Sequence, residues 1–279
     1  MSDIKLFVCC NQQIDVPKHP LLIPIQAGAA IADNRLPGFL HDDSGDNISE
    51  KNLSYCELTT QYWAWKNIEA DYYGFFHYRR YLYPGNSAGR PYRIERELTV
   101  GKLDKLGYGA FEELIREYSI IAPVGENMYV PVREHYANAP FHYRKDLESV
   151  ERIVRERHPE MTGALEAYLS DTICYFGNIY IMQKDIFQDY CEWLFPILEE
   201  FDRQTDMSEY SPQERRVDGY LAERLFGVYL TFRRSELKVL ELPRVLFLNG
   251  KEYYKRRLLN AVLPPGSRRR SFIKQHRMG

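Results

Sequence analysis

Three observations predict an α/β fold for this 279-residue chain. Short apolar runs of strand type alternate with amphipathic, helix-type segments along almost the whole length. No low-complexity linker interrupts them before Pro264, so residues 1–250 read as one domain and 251–279 as a basic C-terminal extension. With 44% hydrophobic and 27% charged residues the composition is that of a globular protein with a buried core, not of a disordered or disulfide-stapled chain.

The elements follow in order. Residues 5–10 form a short apolar run, the first expected strand. After a connection marked by Pro17, Pro20 and Pro24, the stretch PIQAGAAI is a candidate helix start. RLPGFLHDDSGDNISEKN reads as a loop from its Gly, Asp, Asn and Ser content, and ordered loops of that length are usually functional. Ser54 and Glu57 have capping-box spacing, which predicts a helix over residues 55–68. The aromatic run YYGFF predicts a strand ending at His77. Residues 111–118 read as helix, 119–122 as a strand stopped by Pro123, and 146–158 as an amphipathic helix stopped by Pro159. A β-rich run over 172–182, broken at Gly177, precedes expected helices over 184–201 and 213–230 and short strands over 237–240 and 245–248. FHYRRYL at 76–82 and FHYRKDL at 141–147 look alike, but their flanks do not match, so no internal repeat is inferred.

Charge and composition narrow the function. The net charge of -2 conceals an asymmetry: residues 251–279 carry nine Lys or Arg against the single Glu252, so the preceding body is acidic. An acidic body disfavours nucleic-acid binding, whereas the basic extension suits an anionic partner. The 22 Tyr outnumber 14 Phe and 3 Trp, a weak pointer to a sugar or base ligand. Five cysteines, an odd number in apolar patterns without finger-like spacing, suit reduced thiols better than disulfides or zinc. No membrane-spanning run or signal peptide is visible, so a cytosolic location is expected. P-loop, dinucleotide-binding, serine-hydrolase and zincin motifs are absent.

Three constellations could carry chemistry. His77, Tyr78, Arg79, Arg80 and Tyr81 fall at the expected carboxyl end of a strand, where α/β sheets bind ligands. Neighbouring guanidinium groups there suit phosphate oxygens, with a surface salt-bridge cluster as the simpler reading. Asp42, Asp43, Asp46, Asn47, Ser49, Lys51 and Asn52 form a polar loop. It matches no calcium motif, and a solvated turn that caps a helix is the simpler reading beside a cation or polyol site. Asp218 lies near the start of a helix, where the dipole alone explains a carboxylate. In an inverting transferase a carboxylate must accept the proton of the attacking hydroxyl, and Asp218 then leads Glu223 and Asp171.

The segments GDNISEKNLSYCELTTQYWAWKN, DYYGFFHYRRYL, GNIYIMQKDIFQDYCEWLFPIL and RRVDGYLAERLF, within residues 4–248, resemble bacterial capsular and exopolysaccharide biosynthesis proteins long catalogued as a domain of unknown function. The resemblance implies a GT-A-like glycosyltransferase, with a Rossmann-like nucleotide-binding half, a mixed central sheet flanked by helices, and an acceptor half; some relatives are thought to transfer galactofuranose. It implies a UDP-linked hexose donor, with galactose in pyranose or furanose form a candidate, and a lipid-linked capsular, exopolysaccharide or O-antigen acceptor. Cys9, Cys10, Asn11 and Gln26 are then expected near the base and ribose, joined on the donor side by Asn47 and Asn52. His77, Arg79 and Arg80 stand where such enzymes present D-x-D, which implies cationic replacement of the metal and no cofactor. Asp218, with Glu223, is the implied base. Tyr175, Gly177, Asn178, Trp193, Gly219 and Tyr220 are implied on the acceptor side. The basic extension, with Leu258, Leu259, Val262, Leu263, Phe272 and Ile273, would then bind the anionic inner face of the plasma membrane peripherally. A non-catalytic carbohydrate-binding or assembly protein and a sugar-phosphate transferase are the alternatives.

Overall fold

The structure, a computed structural model, describes residues 2–276, with side-chain surroundings as far as Ile273. Arg277 and the side chain of Lys274, both part of the basic extension, lie outside the described residues. The strands are β1 (Ile4–Cys10), β2 (Leu22–Gln26), β3 (Leu40–His41), β4 (Tyr72–His77), β5 (Arg80–Leu82) and β6 (Tyr92–Glu95). They continue as β7 (Ile120–Pro123), β8 (Glu126–Asn127), β9 (Ile173–Cys174), β10 (Tyr180–Gln183), β11 (Val239–Leu242) and β12 (Arg244–Phe247).

The main sheet has the order β11-β7-β10-β4-β1-β2-β3, and β5, β12 and β6 extend it from the end of β4. It is mixed: β1 is parallel to β2 and β4, while β10 is antiparallel to β4 and β7. The chain leaves β1 for β2 on one side and later returns to β4 on the other. That reversal is a topological switch point, and it opens a crevice at the carboxyl ends of β1 and β4, where Cys9 is in register with His77.

Period-2 alternation builds the two cores. On one face Phe7, Cys9, Tyr73 and Phe75 pack against the helices Leu58–Asn67, Arg144–Arg157, Thr162–Ser170, Lys184–Gln204 and Val217–Arg233. On the other, Leu6, Val8, Cys10, Tyr72 and Phe76 meet Leu103, Tyr108, Phe111 and Ile115. Gly74 interrupts the aromatic run because a Cβ there would lie 2.4 Å from Leu6 Cδ2. Much of the tyrosine excess serves these cores: Tyr73, Tyr108 and Tyr180 are fully buried, and their hydroxyls donate to Ile68 O, Leu82 O and Gln61 Oε1 at 2.7, 2.7 and 2.8 Å.

Some elements depart from expectation. PIQAGAAI ends β2 and then makes one 3-10 turn, Ala29–Ile31, because the backbone N–H groups of Gly28 and Ala29 donate to the buried Asp42 carboxylate, both at 2.9 Å. The helix expected over 55–68 is two pieces, Asn52–Tyr55 and Leu58–Asn67, broken at Cys56 with φ 52°. Its capping box does not form. Ser54 Oγ donates to Asp218, and Glu57 accepts from Asn178, so neither side chain serves the helix end. The β-rich run over 172–182 splits at Gly177, where φ is 98°, into β9, which pairs with β8, and β10. The C-terminal extension forms helices Gly250–Val262 and Arg268–His276.

Candidate active site

The crevice at the switch point is a cavity of about 510 Å³, lined among others by Cys9, Cys10, Asn11, Asn52, His77 and Arg79. A second cavity of about 420 Å³ is lined by His142, Phe176, Tyr220, Glu223, Arg224 and Arg244, among others. Arg80, Leu246 and Arg256 line both, so the two are halves of one cleft.

The strand end that carries His77 supplies the positive charge. Arg80 opens β5, where its backbone is in register with His77 of β4 and Leu246 of β12, and its guanidinium makes no hydrogen bond or ion pair with other described residues, although the charges of Glu223 and Glu57 act on it. Arg79 lies 3.8 Å from Glu252 and stacks over Tyr78. His77 differs from the expected cationic role. Burial, then Arg80, Arg79 and Arg216, lower its pKa to about 3, and the Arg79 backbone N–H donates to Nδ1 at 3.2 Å. The ring is therefore neutral at pH 7 with its proton on Nε2, a hydrogen-bond donor and not a charge.

Four carboxylates line the cleft: Glu126 and Glu252, paired with Arg244 and Arg79, and Glu57 and Glu223. Glu57, turned toward it by the break at Cys56, accepts from Asn178 Nδ2 at 2.9 Å. Burial pushes its carboxyl upward and Glu223 adds to the push, against Asn178 and Arg80. Glu223 lines the second cavity with both oxygens held: the Gly177 N–H donates to Oε1 and Arg224 Nη1 to Oε2, each at 2.6 Å. Each carboxylate oxygen has two lone-pair positions, so one further donor can still be accepted at either. Arg224 is buried between the rings of Tyr136 and Phe176, each 5.3 Å away, which fixes its side of the pair.

Beside Glu223 is an aromatic wall. Tyr220 and His142 stack with centroids 4.2 Å apart. Burial and then Arg224 lower the His142 pKa to about 4, and its Nδ1 lies 2.7 Å from Pro140 O, which can only accept. The ring is thus neutral with Nε2 free to accept. Arg244 is paired with Glu126, both buried, so a satisfied ion pair forms another part of the lining.

Several expected site residues sit elsewhere. Asp218 is fully buried and lines neither half; it pairs with Ser54 beside Asp202, and burial followed by Asp202 raises its pKa well above the usual range. Asp171 accepts from the Thr172 backbone N–H and also stays outside the cleft. Gln26 is buried, with Nε2 on Asn34 O and Oε1 on the Leu36 N–H, so it shapes the chain after β2 and touches neither half. Asn47 spends its amide on Gly45 and Ser49 within its own turn. Tyr175 is buried against Glu241, and Trp193 packs on Tyr190 and Tyr229 in the helical layer. Asn178 acts at one remove by holding Glu57, and Gly219 packs against Cys56. The five cysteines are free; burial pushes Cys10 up to about 12, so that it lines the larger cavity as a neutral thiol. Sequence reasoning missed Glu57, His142, Arg216, Arg224, Arg244 and Arg256 as cleft residues.

Among the described residues no three His, Cys, Asp or Glu side chains gather into a metal-holding group, and no helix is long and apolar enough to cross a membrane. In fold the chain matches the apo structure of the bifunctional glycosyltransferase WbbM, with a TM-score of 0.84 and 32% identity, over 88% of this chain and 46% of that one. It thus spans less than half of that protein's length. Among curated proteins none matches. Residues 5–234 match the family described as a domain of unknown function, DUF4422, and the chain belongs to that family.

Proposed function

We propose that the chain is an inverting glycosyltransferase that moves a hexose from a nucleotide-sugar donor to a hydroxyl of a glycan. One observation carries the reading: a switch-point crevice, with Arg80 free of ion pairs where it joins a second cavity, runs into that cavity beside the carboxylate of Glu223. The WbbM likeness supports the same class. The nucleoside diphosphate lies in the larger half, against Cys10, Asn11 and Asn52, with its phosphates toward Arg79, Arg80 and the His77 Nε2–H. The acceptor lies in the smaller half against Tyr220 and His142. Its hydroxyl oxygen attacks the anomeric carbon, the bond from that carbon to the diphosphate oxygen breaks, and the proton passes to Glu223. Arginines take the developing phosphate charge, so no metal is required. UDP is the expected nucleotide, galactose in either ring form the leading sugar, and a lipid-linked capsular, exopolysaccharide or O-antigen chain the expected acceptor.

Incubation of the protein with UDP-, GDP-, dTDP- and CMP-sugars tests the reading. Slow release of a nucleoside diphosphate without acceptor, undiminished in excess EDTA, is expected. No release from any donor, with or without Mn²⁺ or Mg²⁺, would indicate a non-catalytic binding protein; release of UMP would indicate a sugar-phosphate transferase. Activity strictly dependent on a divalent ion would remove the cationic replacement while leaving the transferase.

A further inference from the structure

The helix Gly250–Val262 lies beyond the matched family segment, and by sequence it belongs to a basic tail. In the fold it is part of the cleft. Glu252, Arg256 and Asn260 are spaced at i, i+4 and i+8 and so share one face. Glu252 and Arg256 line the larger cavity. Arg256 also lines the smaller one, half-buried, and its guanidinium makes no hydrogen bond or ion pair with other described residues. The opposite face exposes Tyr254, Leu258 and Val262.

The extension is docked through several contacts. Arg270 is buried, donates to Asn260 Oδ1 and Leu263 O at 2.6 and 3.0 Å, and stacks over Tyr92. Ser271 Oγ donates to Met128 O at 2.8 Å, and Tyr129 OH donates to Gly266 O at 3.1 Å. Arg256 is therefore brought to the cleft by a packed element.

Charge at that point is unbalanced. Glu223 is matched by Arg224, Glu126 by Arg244, and Glu252 by Arg79; the remaining lining charges are Arg80, Arg216 and Arg256 against the single carboxyl of Glu57, and Arg80 and Arg256 stand where the cavities join with no ion pair to other described residues. Like charges in a partly desolvated cleft repel, and an anion with several oxygens would bridge both with charge-assisted hydrogen bonds.

We infer that Arg256, delivered by the C-terminal helix, is a direct ligand of the donor's diphosphate and acts with Arg80 from a separate element of the fold. The inference rests on the donor reading above and adds a binding residue outside the family segment. Glu252 on the same face opposes the ligand's charge and tunes its affinity.

Calorimetric titration of the full chain with inorganic pyrophosphate, with UDP, GDP, dTDP and CDP, and with the nucleoside of the tightest of these tests it. Arg256→Gln is expected to weaken pyrophosphate and the nucleoside diphosphate by about 10- to 100-fold while the nucleoside stays within about twofold, because only a charged hydrogen bond to phosphate is lost. Arg256→Lys should recover part of the loss, and Glu252→Gln should tighten diphosphate binding. Unchanged diphosphate affinity in Arg256→Gln, or equal weakening of nucleoside and diphosphate, would overturn the inference while the donor reading stands. If the wild-type chain binds neither pyrophosphate nor any nucleoside diphosphate, the donor reading falls and takes the inference with it.

Discussion

Asp218 and Glu223 lie five positions apart on one helix, and five α-helical steps turn about 140°. One carboxylate therefore points into the packing against Ser54 and the other into the cleft. Asp218→Asn is accordingly expected to fold and to keep turnover within about twofold of wild type, since it imitates the protonated carboxyl that burial favours. The folded state holds that proton above pH 3.8, where the unfolded chain has released it, so Asp218 lowers stability as pH rises through this window. Thermal melts across pH should show a shallower decline in the Asn variant. A loss of turnover beyond about 100-fold with donor binding intact would return Asp218 to the chemistry. Glu223→Gln should lower turnover by about 10²- to 10⁴-fold with diphosphate affinity unchanged, the loss characteristic of a missing general base. Turnover near wild type would remove Glu223 from that role. His77 works in the opposite direction on stability: with its pKa lowered to about 3, it is protonated first in the unfolded chain and costs stability as pH falls from 6.5.

At the scale of elements, close approach sets the position of the helix that carries Glu223. Gly227 on that helix faces the ring of Tyr168, where an added Cβ would lie 2.0 Å from Cζ. Alanine there would gain about 1 kcal/mol of helix propensity, but overpacking a buried ring costs about 1–3 kcal/mol. Gly227→Ala is expected to be destabilised on balance, and Tyr168→Leu should restore part of the loss in denaturant unfolding. A more stable single variant would show that the two helices separate freely. Elements with a strong local pattern were legible in sequence, such as β1, β4 and the helix Arg144–Arg157, because alternation and amphipathic spacing are local properties. The break at Cys56 was not legible. Ser54 and Glu57 have the right spacing for a cap, but their partners Asp218 and Asn178 lie more than 100 residues away.

For the whole molecule, the acidic body and basic extension acquire a geometry. Arg256 and Arg270 turn inward, while the outer face of the helix Gly250–Val262 combines exposed Lys251 and Lys255 with Tyr254, Leu258 and Val262. That mixture of basic and apolar side chains suits an anionic membrane surface, with each Lys or Arg near it contributing about 1 kcal/mol. Co-sedimentation with vesicles containing anionic lipid is expected for the full chain and should weaken as salt rises. Replacing Tyr254, Leu258 and Val262 together by Ser should reduce it without changing diphosphate affinity. Undiminished sedimentation of the triple variant would remove this face as the contact.

By itself the sequence determined the alternating strands and helices, the family, and the cluster from His77 to Arg80 at a strand's end, because each is written in adjacent residues. Only the tertiary structure decided which carboxylate faces the cleft, that Tyr175 and Trp193 are packing residues, and that the basic tail sends Arg256 inward. The physical reason is that helix phase and long-range pairing choose the direction of each side chain, and neither can be read from the residue's own neighbours.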